Sequence, residues 1–192
     1  MYAYLLSTLP DFDREGAPPM SLAELVERCR GFLPEPELTG LEDPEAAATG
    51  SGDSARAARR WLDLERQLAN AVARRRAPFW ELSPADQARE HGGFSVMIED
   101  GVGRAFEAAH PLARQRALDE LRWQLLNELA GPVPWGFPAL FAYARRLEIA
   151  WQWAPRQPAA GRDALGRILD AVEERAVRED HFEEHHFEEH HD

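Results

Sequence analysis

The sequence predicts an all-α fold, a multi-helix bundle, on three observations. Apolar residues recur at helical spacing in five segments, 22–33, 61–77, 112–129, 140–153 and 165–176. Proline, glycine and capping residues punctuate the boundaries of those segments. The chain has 192 residues, 44% of them hydrophobic and 29% charged, which is enough for a core beneath solvated outer faces. The expected organisation is a single helical domain over 1–178 and an acidic, His-rich tail over 179–192.

Met1 to Pro10 is apolar and aromatic, and periodicity leaves a short strand and a helical turn both open. Such a start is expected to dock in the core. Ser21 followed by Glu24 makes a capping box, so a helix starts there and carries Leu22, Leu25, Val26, Cys29 and Leu33 on one face. Pro34 and Pro36 are expected to stop it. The stretch 34–53 is rich in Pro, Gly, Ser and acids and reads as a flexible surface loop.

A long helix then begins near Ser54, with Trp61, Leu64, Leu68 and Val72 in register and Ala69 and Ala73 widening the stripe. It closes on Arg74, Arg75 and Arg76, three cations that complement the dipole of a last turn. These three arginines are candidate contacts for an acidic partner. Ser83 to Asp86 has the signature of another helix start. From Phe94 to Ala109 the apolar pattern continues, but Gly101 and Gly103 predict a broken or weak helix.

Pro111 opens the strongest pattern, with Leu118, Leu121, Leu125 and Leu129 in one row and Gly131 placed as a C-terminal cap. A tight linker leads to Leu140, Tyr143, Leu147 and Trp151 at helical spacing. The two helices are expected to form an antiparallel hairpin over about 111–154. Of the six tryptophans, Trp135 and Trp153 lie near helix ends and are candidate anchors for a partner.

Net charge is −12, unevenly spread: nine acids against two arginines between 171 and 192 leave that stretch at −7 and the rest at −5. All 22 basic residues are arginine. An acidic chain repels phosphate backbones, so no nucleic-acid partner is expected. The lone Cys29 excludes an internal disulfide and reads as a buried thiol. No signal-peptide pattern opens the chain, and no apolar run reaches the roughly 20 residues of a membrane span. The expectation is a cytoplasmic protein, peripheral to the inner membrane only through a complex.

HFEEH occurs twice in the tail, at 181–185 and 186–190. If helical, His181/His185 and His186/His190 are i,i+4 pairs able to chelate a transition metal, with His191 beside them. A five-residue repeat rotates the two pairs off a common face. The other reading is a low-complexity solvating tail. No cofactor is expected apart from such a tail metal. Walker-type loops, Gly-x-Ser-x-Gly, Cys-x-x-Cys and His-Glu-x-x-His are absent from the sequence. No catalytic residue is assigned, although carboxylates such as Glu65, Glu120 and Glu148 could meet between helices.

The opening YAYLLSTLPDFD resembles the tyrosine-rich start of the domain-of-unknown-function family numbered 2764. The segment WLDLERQLANAVARRRAPFW resembles its Trp/Glu/Asn/Arg-Ala helix at Trp61, Glu65, Asn70, Arg76 and Ala77. HPLARQRALDELRWQLLNEL is similar to the family's next helix at Pro111, Leu112, Leu118, Asp119, Leu121, Arg122, Trp123 and Leu126. FPALFAYARRLEIAWQW is similar to its final helix at Ala142, Tyr143 and Leu147. The likeness covers most of residues 1–175. It departs at Gln67 and Ala69, where the pattern has Leu-Arg-Asn, and at Trp151-Gln152-Trp153, where it has Glu-Arg-Trp. The His/Glu tail has no counterpart.

The resemblance implies a product found alongside the subunits of bacterial V/A-type rotary ATPases. It also implies likeness to a shortened form of the all-helical funnel that sits on the membrane rotor ring of those enzymes and receives the central stalk. The implied role is a non-catalytic structural or assembly component that couples central stalk to membrane rotor, with central-stalk and rotor-ring proteins as partners. The alternative reading is a stand-alone helical protein-binding module with a metal-binding His/Glu tail.

Overall fold

The computed structural model describes residues 1–79, 83, 88–132 and 135–154. The described residues contain eight α-helices, one 3₁₀ turn at Ala77–Phe79 and no strand. The chain divides into two compact units, Met1–Trp151 and Gln152–Asp192. Nearly all of the second unit, with the expected helix 165–176 and the tail, lies outside the described residues, as does most of the expected helix start at 83–86. No described helix is long and apolar enough to cross a membrane.

The first ten residues resolve as helix α1 (Tyr2–Thr8), which buries Leu5 but leaves Met1 and Tyr4 exposed. Helix α2 (Leu22–Cys29) starts as its capping box dictates. Ser21 Oγ accepts the Glu24 N–H at 3.2 Å and Glu24 accepts the Ser21 N–H at 2.7 Å. Leu25, Val26 and Cys29 face inward, and Leu33 is buried just beyond the helix.

The expected flexible loop 34–53 is instead largely helical. Helices α3 (Glu35–Glu42) and α4 (Pro44–Ala48) occupy it. The physical reason is that Pro36 and Pro44 sit in first turns, where a missing N–H costs nothing, so they start helices rather than stop them. Asp43 then caps α4, accepting the N–H groups of Glu45 and Ala46 at 2.9 and 3.0 Å. Leu38 and Leu41 anchor the stretch in the core. Gly40 lets it approach closely: a Cβ there would stand 3.0 Å from the Phe137 ring and 3.2 Å from Ser54 Cβ.

Helix α5 (Gly52–Arg76) is about 37 Å long at 1.5 Å per residue. It packs on α3, α4, α6 and α7. Its inner face carries Ala55, Ala58, Trp61, Leu68 and Ala71, but also the polar Gln67 and Asn70. Ala69, expected in the stripe, faces solvent. Helix α6 (Val96–Glu107) runs unbroken through Gly101 and Gly103. Gly101 is buried against Leu121, where a Cβ would lie 2.8 Å from both Leu121 Cδ atoms, so this glycine serves close helix approach.

Helix α7 (Pro111–Ala130) has Pro at its first position and ends on Gly131 at φ 73°, a left-handed value that favours glycine. Helix α8 (Phe137–Trp153) buries Phe137, Leu140, Phe141, Ala144 and Leu147 completely or almost so. Arg146 of α8 lies over the Trp123 ring of α7 and donates to Asn127, also of α7.

Candidate functional site

Three groups of polar side chains hold the described unit together, and one of them borders a cleft. On α5, Asn70 donates to the Arg89 carbonyl at 2.8 Å and accepts the Arg89 N–H at 2.9 Å. One turn away, Gln67 treats Ser95 the same way, at 2.9 and 2.8 Å, and also donates to Glu99 at 3.0 Å. Each amide bonds both a donor and an acceptor of a backbone that lies outside the helices. Glu99 also pairs with Arg74 at 2.6 Å. Burial pushes its pKa up, but the bonds from Arg74 and Gln67 outweigh that and hold it below the usual carboxylate value.

The second group centres on Arg122. Its guanidinium spans Glu65 of α5 at 2.9 Å and Asp119 of its own helix at 2.8 Å. Asp119 is 1% exposed and also accepts from Gln115. Burial works against the Arg122 charge, and the two carboxylates more than offset it, raising its pKa.

The third group forms a cleft of about 540 Å³ between the 11–15 loop, α7 and α8. Phe12 is its keystone. The Phe12 ring meets Trp123 edge to face at 5.7 Å and Tyr143 at 5.1 Å. The Tyr143 hydroxyl donates to the Pro10 carbonyl at 2.9 Å, and burial pushes its pKa up to about 12. Arg14 pins the far side of the loop, donating to the Arg116 carbonyl at 2.7 Å and pairing with Glu120 at 3.2 Å. Arg146 lies over Trp123 at 5.4 Å, and burial lowers its pKa. Asp11, Asp13 and Glu15 complete the rim.

Arg74, Arg75 and Arg76 are exposed at the end of α5, and Arg74 is paired with Glu99. Trp135 is 53% exposed, whereas Trp153 is only 5% exposed. His181, His185, His186, His190 and His191 lie outside the described residues. No group of three or more potential metal ligands occurs among the described residues. Glu65, Glu120 and Glu148 are held by different arginines, respectively Arg122, Arg14 and Arg145.

Sequence reasoning passed over the cleft. Its keystone lies in a polar turn segment, DFDREG, where one phenylalanine among charges was the only signal.

No family model, curated protein or solved structure matches the chain.

Proposed function

We propose that this chain is a non-catalytic structural or assembly component of a V/A-type rotary ATPase. It would couple the central stalk to the membrane rotor and meet the inner membrane only through that complex. One observation carries the reading. Several of the residues on which the family resemblance rests tie separate elements together: Glu65 with Arg122, Asn70 with the Arg89 backbone, and Trp123 and Tyr143 through Phe12. A part that transmits torque needs such ties, because a helix stack joined only by non-directional apolar contact can slide. A 25-residue helix braced along its length by α3, α4, α6 and α7 is a suitable strut.

The test is purification of the chain from its native host, without altering residues 179–192, followed by mass spectrometry. Recovery of rotary ATPase proteins in fixed ratio is the expected result. Recovery of the chain alone, as a monomer, would overturn the assignment to a stable component of that enzyme.

A further inference from the structure

The Phe12 cleft combines two properties that together select a ligand. Four carboxylates line it, from Asp11, Asp13, Glu15 and Glu120, against two guanidiniums, from Arg14 and Arg146, so its walls carry a net charge of −2. Its floor is aromatic, made by Phe12, Trp123 and Tyr143. Carboxylates beside aromatic rings favour a cation that is both charged and weakly hydrated.

The cleft already seats one guanidinium on its aromatic floor. The Arg146 guanidinium rests on Trp123 at 5.4 Å, and its hydrogen bond goes to the neutral Asn127 rather than to an acid. Arg14 is engaged with Glu15, Glu120 and a backbone carbonyl. Asp11 is bonded locally, accepting the Phe12 N–H at 3.0 Å. Asp11 and Asp13 are exposed on the rim, where an incoming cation would meet them first. A volume near 540 Å³ exceeds one side chain and accommodates an arginine with its flanking backbone.

We propose that this cleft docks an arginine-bearing segment of a partner protein, the guanidinium pairing with Asp11 and Asp13 and packing on the aromatic floor. Lysine fits less well, because its compact ammonium is strongly hydrated and cannot stack while bridging two carboxylates. The charge and walls of the cleft are the same whichever complex the chain joins, so native purification and the titration below can fail separately.

The test is an NMR titration of the full-length ¹⁵N-labelled chain with the capped peptide Gly-Gly-Arg-Gly-Gly. The Trp123 indole resonance is followed, and the other indoles serve as internal references. The expected result is a saturable shift of Trp123 that the citrulline twin of the peptide does not produce. The double variant D11N/D13N should weaken binding by roughly tenfold, whereas E183Q/E184Q, an equal charge change in the acidic tail, should leave it unchanged. The docking site is overturned if Trp123 does not move, if the citrulline peptide moves it equally, or if both double variants have the same effect. Both variants lie at exposed or terminal acids, and matching thermal melts establish that they fold.

Discussion

Two glycines in α6, two residues apart, should respond to the same substitution with opposite sign. Alanine gains about 0.5–1 kcal/mol over glycine inside a helix, chiefly by restricting the unfolded chain. At Gly103 nothing in the core opposes that gain. The nearest atom to a new Cβ is the Arg75 guanidinium nitrogen at 3.1 Å, the free end of a long exposed side chain that can shift. At Gly101 the new methyl would stand 2.8 Å from both Leu121 Cδ atoms and 3.2 Å from Cγ. Leu121 is 3% exposed and cannot turn away without displacing its neighbours. Overpacking of this kind costs about 1–3 kcal/mol. Gly101→Ala is therefore expected to destabilise by about 0.5–2 kcal/mol net, and Gly103→Ala to stabilise by up to about 1 kcal/mol. At about 2–4 °C per kcal/mol for a chain of this size, the two melting temperatures should separate by roughly 2–12 °C. Thermal unfolding followed by circular dichroism at 222 nm reads this directly. If both variants melt above the parent protein, α6 and α7 do not approach at Gly101 as described. If both melt below it, the helix is governed by something other than propensity and this contact.

Four further outcomes follow from the polar groups. Gln67→Leu should cost about 1–3 kcal/mol in urea unfolding, because the Ser95 N–H loses its acceptor and Glu99 loses a donor; an effect under about 1 kcal/mol would mean that water replaces the amide. Arg122→Met should cost about 2–4 kcal/mol by removing the cation that bridges Glu65 and Asp119, and Arg122→Lys should recover only part of it, since one ammonium cannot span both carboxylates; full recovery would refute the bridging role. Glu99 is held below its unfolded pKa, so its contribution is present above about pH 4.5 and is lost as pH falls through the folded value; Glu99→Gln should flatten that part of the acid-unfolding profile, and an unchanged profile would argue against the Arg74 and Gln67 bonds in solution. Burial pushes the Cys29 thiol from 9 up to about 11, so its contribution is intact below pH 9 and is lost as pH rises through 11; thiol reagents at pH 8 should label it only on unfolding, and immediate labelling would place it at the surface.

The parts of the fold that were legible in the sequence are those set by local chemistry. Ser21 and Glu24 define a helix start within four residues, and Pro111 and Gly131 bracket α7 with no help from the rest of the chain. The leucine row of α7 fixes its buried face. What escaped depends on residues far apart in the chain. Composition alone makes 34–53 a loop, but Leu38 and Leu41 find a core, so tertiary burial overrides the local signal. Gly101 weakens an isolated helix, and its use emerges only when Leu121 lies across it. Gln67 and Asn70 interrupt an apolar stripe, and nothing nearby in sequence reveals that the backbone at 89 and 95 needs them. The cleft is the extreme case, since Phe12, Trp123 and Tyr143 meet only after the loop has crossed two later helices.

The same contrast gives the chain's exclusive use of arginine a structural consequence. Composition offers no reason for it, yet Arg122 and Arg145 each use several donors held in a plane to bond more than one group at once. Arg59 donates to the carbonyls of Ala48 and Gly50, closing the turn after α4 onto α5. Arg145, 5% exposed, donates to the Leu41 carbonyl at the end of α3 while pairing with Glu148 at 2.9 Å and lying over Phe141 at 5.4 Å. Burial lowers the pKa of Arg145 and raises that of Glu148, so the pair resists its own charge separation and is retained for what it connects. It sits where the last carbonyls of a short helix need donors. A lysine could neutralise Glu148, but it could not also reach a carbonyl and lie flat on a ring. Helix α3 is thus held by the guanidinium fork of Arg145, and the end of α4 by Arg59 through one nitrogen shared between two carbonyls, since eight- and five-residue helices are marginal in water on their own. Replacing Arg145 by lysine should therefore loosen 35–42 before the rest of the unit, as faster amide exchange confined to that stretch; uniform exchange across α3 to α8 would show that apolar burial, not the arginine fork, keeps the segment helical.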